Sequence, residues 1–308
     1  MSPNPSLTGG AVPLGSDNPH VPFRTSVKAP RLTWPGGRPL AFWVRLDIDL
    51  RDSGRPPEWA IRDPRQAALT SPYFPDHRLF TQHEYGARVG VFRVLDVLDR
   101  HGVVPTVAVN AAAAERYPYL MAMLKERGVE IVGHGTHSTR MISSKMTEEQ
   151  ERDYIADSLD RLEAVTGKRA VGWASPDYGQ SYRTPALLDA AGIRWMADMP
   201  HDDMPYRTNT PGGLISLPAQ NEWDDVEQIW HRGLSMDIWR ENMVEAFDVL
   251  AGEQGRVFGM TLRPWLIGQP HRIRYLDEAL ARIAPRTDAW HASGGEIAAH
   301  AAKQLAAS

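Results

Sequence analysis

Two aspartates stand two residues apart at the end of an apolar run. Pro39-Leu40-Ala41-Phe42-Trp43-Val44-Arg45-Leu46 leads straight into Asp47-Ile48-Asp49. The run has the composition of a buried strand, and side chains two apart on a strand point to the same side. Like charges that close raise one another's proton affinity unless a cation or hydrogen-bond donors compensate. The pair therefore suits a general base or a metal ligand. A second polar group of residues lies near mid-chain in Glu130-Ile131-Val132-Gly133-His134-Gly135-Thr136-His137-Ser138. Val129, Ile131 and Val132 read as a strand end, the two glycines leave His134 uncrowded, and His137 follows three residues later. Each feature alone is common in solvated turns and caps. Histidines and carboxylates together at strand ends point instead to a reactive site.

The chemistry these residues could perform is hydrolysis, which needs a base, an acid and a stabiliser for a developing oxyanion. Asp49, His134 and His137 could supply three ligands to one divalent metal, zinc or similar, and leave a position for a water of lowered pKa. Without a metal, Asp47 or Asp49 would act on water directly, and Arg263 with backbone N–H groups would hold the oxyanion. Both routes stay open from the residues alone. Cysteine is absent, so disulfides, thiolate nucleophiles and Cys-based zinc sites are excluded.

The elements that must position these groups alternate regularly. Helical spacing over 90–101, 118–127, 147–165, 184–191, 235–250 and 275–283 alternates with apolar runs at 103–109, 129–132, 170–173, 193–197, 214–218, 257–262 and 289–292. Many helix ends carry glycine. Thr147-Glu148-Glu149-Gln150 is a capping box. Such alternation predicts an α/β fold with a parallel sheet, and seven or eight units without a break predict one distorted (β/α) barrel over 38–308. Residues 1–37, rich in Pro and Gly, are expected to form an extended arm. Residues 51–84 read as a long irregular segment, with Trp59, Tyr73 and Phe74 as the apolar underside of a lid. In a barrel the carboxyl ends of the strands would gather Asp47, Asp49, Asn110, His134, His137, Asp177, Asp198, Glu222, Asp224, Asp225 and Arg263.

Composition narrows the partners. The 308 residues carry a formal charge of −4, which argues against a nucleic-acid grip. No apolar run approaches the ~20 residues of a membrane span, and the first thirty residues hold no signal-type apolar core, so a cytoplasmic protein acting on a small molecule is expected. Ten tryptophans are available to line a cleft as well as fill a core.

The motifs resemble the polysaccharide deacetylase (NodB-homology) superfamily, in particular its allantoinase-like and cyclic-imide-hydrolase-like branch. The stretches that carry the resemblance are Glu84-Tyr85-Gly86-Ala87-Arg88-Val89-Gly90, Glu130-Ile131-Val132-Gly133-His134-Gly135, Asp202-Asp203-Met204-Pro205-Tyr206, Leu217-Pro218 with Glu222 and Asp224-Asp225, and Leu266-Ile267-Gly268-Gln269-Pro270. The resemblance implies a distorted (β/α) barrel that hydrolyses non-peptide C–N bonds, and it makes homo-oligomers an expectation. It also implies, in metal-using members, an Asp and two His around the metal, a second Asp as base and a late His as acid. By position the aspartates fall on Asp47 and Asp49 and the first histidine on His134.

Three places depart from that pattern. Ser138 stands where the second metal histidine is usual, Leu262-Arg263-Pro264 replaces a Leu-His-Pro end, and Trp173-Ala174-Ser175-Pro176 lacks an arginine that orients the base. Arg263 is a poor proton donor and better suited to clamp an anion. The expected catalytic set is Asp47, His134 and Arg263, with substrate contacts from Glu84, Arg88, Trp173, Glu222, Asp225 and Trp265. The expected substrate is a small cytoplasmic amide, ureide or cyclic imide. An N-acetylated sugar derivative, or a non-catalytic binding role on the same scaffold, is the alternative.

Overall fold

A computed structural model describes residues 18–21, 23–60 and 74–306. Residues 1–17 and 22 of the expected arm, and the part of the expected lid that includes Tyr73, lie outside these residues. In chain order the elements are β1 (Leu40–Ile48), α1 (His77–Tyr85), α2 (Val91–Arg100), β2 (Thr106–Val109), α3 (Ala111–Arg116), α4 (Pro118–Glu126) and β3 (Glu130–Gly133). Then come α5 (Glu148–Thr166), β4 (Gly172–Trp173), α6 (Thr184–Ala190), β5 (Trp195–Met199), β6 (Tyr206–Arg207) and β7 (Ile215–Pro218). The last are α7 (Met236–Ala251), β8 (Arg256–Leu262), α8 (Pro264–Ile267), α9 (Ile273–Ile283), β9 (Ala289–His291) and α10 (Gly294–Leu305).

The strands form one curled sheet, a half-barrel, in the order β6-β7-β5-β4-β3-β2-β1-β8. All pairings are parallel except β6 with β7. That antiparallel ribbon interrupts the βα repeat because only residues 208–214, with Pro211-Gly212-Gly213 at the turn, separate its strands. A parallel crossover needs a dozen residues or more.

β1 is the organising strand. It pairs with β8 along one edge, and its first residues pair with β9 and its last with β2. Leu40, Phe42, Val44 and Leu46 pack under the helices, while Ala41 and Trp43 belong to the apolar cluster on the other face. Arg45 and Asp47 continue that second face by the same two-residue period. Trp43 meets Trp195 edge-on at 5.8 Å. Glycines make room for these indoles: a Cβ on Gly172 would stand 2.4 Å from the Trp195 ring. Several tryptophans thus fill the inside of the half-barrel rather than line a cleft.

The capping box forms as read, with Thr147 and Gln150 each closing on the other's backbone. The helix expected to begin at Gly90 begins earlier. α1, capped by Asp76, runs through a wide π-helical turn at Gly86–Gly90 into α2. Close approach explains the two glycines that bound this turn. A Cβ on Gly86 would lie 2.7 Å from the Trp265 backbone nitrogen, and one on Gly90 would lie 2.1 Å from the Pro264 carbonyl oxygen. The segment after β8 therefore presses directly onto this helix. Gly90→Ala is expected to force the two apart and cost ~1–3 kcal/mol, in the range of overpacking. Thermal unfolding would show this as a Tm several degrees lower.

Candidate active site

At the carboxyl end of β1 the inward face turns polar. Arg45 is 2 % exposed and donates to both oxygens of Asp47, from Nε at 2.7 Å and from Nη2 at 2.9 Å. A guanidinium and a carboxylate two residues apart on a strand share one face, which is why the pair can be bidentate. Burial alone would push Asp47 up, but Arg45, then His134 and Arg263, outweigh it and leave the carboxyl well below the usual range, at about 2. Asp47 is thus a strongly held anion and a weak base. The cation that orients it comes from its own strand, two residues upstream, where the sequence reads as plain buried β.

His134 enters from the end of β3. Its Nδ1 lies against the Ala174 carbonyl, which can only accept, so Nδ1 carries a proton and Nε2 faces the cleft. Nε2 lies 3.2 Å from Asp49 Oδ1 and 4.0 Å from Asp47 Oδ2. The Asp49 contact is close enough for an ion pair, and Asp49 Oδ1 is buried with no other hydrogen-bond partner among the described residues. Burial would lower the His134 pKa, but Asp47 and then Asp49 raise it above its ordinary value. Asn110 ties the two loops together: its Nδ2 donates to the His134 carbonyl, and its Oδ1 accepts from the Leu50 N–H at 3.0 Å. Gly135 follows at φ 65°, and a Cβ there would strike the Tyr154 hydroxyl.

Arg263 closes the other side. Its Nη1 donates to Asp224 Oδ2 and Asp225 Oδ1, each at 3.0 Å, and its backbone N–H donates to Asp225 Oδ2 at 2.6 Å. Its Nε stands 3.6 Å from Asp47. Burial and the neighbouring Asp224 push Asp225 up to about 7 against the pull of Arg263. Tyr178 donates to Asp224 at 2.8 Å, and its ring lies 5.1 Å from the Arg45 guanidinium. Asp177 and Tyr178 both adopt left-handed backbone, at φ 50° and 54°. For non-glycine residues each such position costs on the order of 1–3 kcal/mol, and here it delivers the tyrosine to the carboxylates. Asp198 sits below, accepting from the Ser175 N–H at 2.6 Å and hydroxyl at 3.0 Å. Burial pushes it up to about 6.

Asp47, Asp49, His134 and Arg263 border a cavity of about 100 Å³ that His83 and Trp265 also line. A larger groove of about 1060 Å³ passes Arg24, His201 and Tyr206, and its lining contains none of the β1 carboxylates. Among the residues expected to bind substrate, Trp265 lines the cavity and Asp225 stands behind Arg263. The others lie elsewhere. Glu84 pairs with Arg116 and Arg88, Arg88 is largely exposed, Glu222 pairs with Arg232 at the surface, and Trp173 is fully buried with Nε1 donating to Ser175. His137 is absent from the lining and sits among Arg140, Asp52, Arg161 and Glu115. Ser138 does line it, with its hydroxyl turned to the Leu50 carbonyl at 3.3 Å.

The described residues contain no group of three His, Cys, Asp or Glu placed to hold a metal. Asp49 and His134 are two donors without the third that a catalytic divalent site needs, so the set does not fit the metal centre the resemblance implies. Arg45, Tyr178, Ser175 and His83 were not singled out from the sequence. Arg45 alone left a signal, as a charge inside an otherwise apolar strand.

Comparisons with known proteins agree with this architecture. Residues 76–196 match the family model for polysaccharide deacetylase. A curated polysaccharide-deacetylase-type protein of Schizosaccharomyces pombe is 27% identical over 237 residues, covering 70% of this chain and 73% of its own length. A crystal structure of a polysaccharide-deacetylase-type protein from Mycobacterium smegmatis superposes with a TM-score of 0.77 at 26% identity, covering 90% of this chain and 94% of that one. The Puue allantoinase structure shares the fold, with a TM-score of 0.75 at 24% identity over 88% of this chain and 93% of its own.

Two outcomes follow from the site's electrostatics. Arg45→Met leaves Asp47 buried without its partner and is expected to cost ~3–5 kcal/mol, read by urea unfolding, with part of that loss recovered in Arg45→Met/Asp47→Asn. Asp198 binds its proton more tightly folded than unfolded. Stability from this group is therefore full below the unfolded pKa near 4 and is lost as pH rises through about 6. Relative to Asp198→Asn, the wild type should lose on the order of 2 kcal/mol of unfolding free energy between pH 4 and 7.

Proposed function

We propose that this chain, which belongs to the polysaccharide deacetylase superfamily, hydrolyses the C–N bond of a small amide, ureide or cyclic imide. The observation that carries this reading is the His134–Asp49 pair, 3.2 Å apart on a cavity of about 100 Å³. That volume is below the ~150 Å³ of an engineered cavity that takes benzene. It suits a compact ligand better than a sugar chain, whereas an N-acetylated sugar would have to reach the pair from the cavity mouth. Among the described residues no helix is long and apolar enough to cross a membrane. Action in the cytoplasm and assembly into oligomers belong to the same proposal.

Asp49, which lines the cavity, takes a proton from the attacking water. His134, charged on Nε2 and held by the Ala174 carbonyl on Nδ1, gives its proton to the departing nitrogen. Asp47 remains anionic, raises the proton affinity of His134 and fixes the field of the site. Arg263 is committed to Asp224 and Asp225 and keeps those carboxylates from repelling the pair.

Turnover of hydantoin, succinimide, allantoin and N-acetylglucosamine by purified protein tests the reading. Asp49→Asn and His134→Gln should each lower kcat by about 10²–10⁴-fold, the usual contribution of a general acid or base. Near-wild-type rates in both variants would place the chemistry elsewhere, and turnover of the sugar alone would select the deacetylase alternative.

A further inference from the structure

His83 has no role in the scheme above, yet its position is costly. It lies on α1, is 8 % exposed, and neither ring nitrogen has a hydrogen-bond partner among the described residues. A buried polar group left unpaired costs about 1–3 kcal/mol, so phenylalanine or leucine would serve packing better. The ring is placed with care. It stacks on Trp265 with centroids 4.2 Å apart. The glycine-bearing π-turn that follows α1 lets the Trp265 backbone approach that closely. His83 and Trp265 both line the cavity that holds Asp47, Asp49 and His134.

Its charge state follows from its neighbours. Burial first, then the positive charges of Arg51 and Arg263, push the imidazole down to about 3. No carboxylate is among the groups that set its proton affinity. The ring is neutral at any physiological pH and keeps one N–H to donate. Arg51 and Arg263, the two cations that act on His83, are themselves matched by aspartates, so the imidazole stands beside charge that is already compensated.

We propose that His83 is the contact for the substrate's carbonyl oxygen, donating a ring N–H hydrogen bond that strengthens as water adds and the oxygen becomes an oxyanion. No proton is transferred; the bond only tightens in the transition state, where such donors contribute most. The inference rests on the hydrolase reading and supplies the oxyanion stabiliser which that reading lacks. It also restricts the substrate to one whose reacting carbonyl is uncharged and reaches the Trp265 face.

His83→Phe keeps the stacking and removes the donor, and His83→Gln restores a neutral donor. With hydantoin or succinimide as substrate, His83→Phe should lower kcat by about 10²–10³-fold. Its Tm should be unchanged or higher, and its pH–rate profile should keep the wild-type shape. His83→Gln should recover about tenfold or more of that loss. Folded His83→Phe with kcat within about threefold of wild type overturns the proposal but leaves the hydrolase reading standing. If wild type turns over neither probe, the hydrolase reading on these substrates fails and binding decides the role of His83. The ¹⁵N ring signals of His83, identified by their loss in His83→Phe, should move when hydantoin or succinimide is added. Signals that do not move with either probe overturn the contact.

Discussion

The buried ion pair of Arg45 with Asp47 is the constraint on which the site depends. A carboxylate in the interior of a sheet is costly unless a cation meets it with good geometry, and here both oxygens are met from two residues upstream on the same strand. Because Asp47 stays ionised, it draws His134 toward the protonated form and interacts with Arg263. Arg263 in turn holds Asp224 and Asp225, and Tyr178 completes that cluster. Removing Arg45 or Arg263 leaves a buried carboxylate without its cation, and removing Tyr178 takes a hydrogen bond from Asp224.

Around these groups the backbone is shaped for close approach. Gly135 lets Tyr154 reach the loop that carries His134, and Gly86 and Gly90 let the segment after β8 press on the helix that carries His83. Asn110 joins the end of β1 to the end of β3, so that Asp49 and His134 face each other. The left-handed turn at Asp177 and Tyr178 stores conformational strain that the surrounding hydrogen bonds hold in place. None of these contacts moves the chemistry by itself, but each fixes a distance on which the chemistry depends.

The fold was largely legible in the sequence. Alternating apolar periodicities and glycine-ended helices carry an α/β parallel sheet, and the β8 and β9 strands and the α5 capping box stand where patterning puts them. Two features were not legible. The early start of α1 is hidden by its polar composition and by glycines that normally end helices. The β6–β7 ribbon depends on pairing that a two-residue strand does not announce.

The strand-end aspartates and His134 were legible as chemistry because residue type and a period of two suffice to put polar groups at one end of a barrel. What the sequence by itself determined is this local material: which strand carries the carboxylates, which loop carries the imidazole, and the absence of any thiol. Only the tertiary structure decided the pairings. It set Arg45 on Asp47, left His137 off the cavity, placed Glu84, Arg88 and Glu222 in other ion pairs, and brought His83 from a distant helix to the same cavity. Those outcomes turn on distances between elements far apart in the chain, and spacing along a sequence carries no measure of such distances.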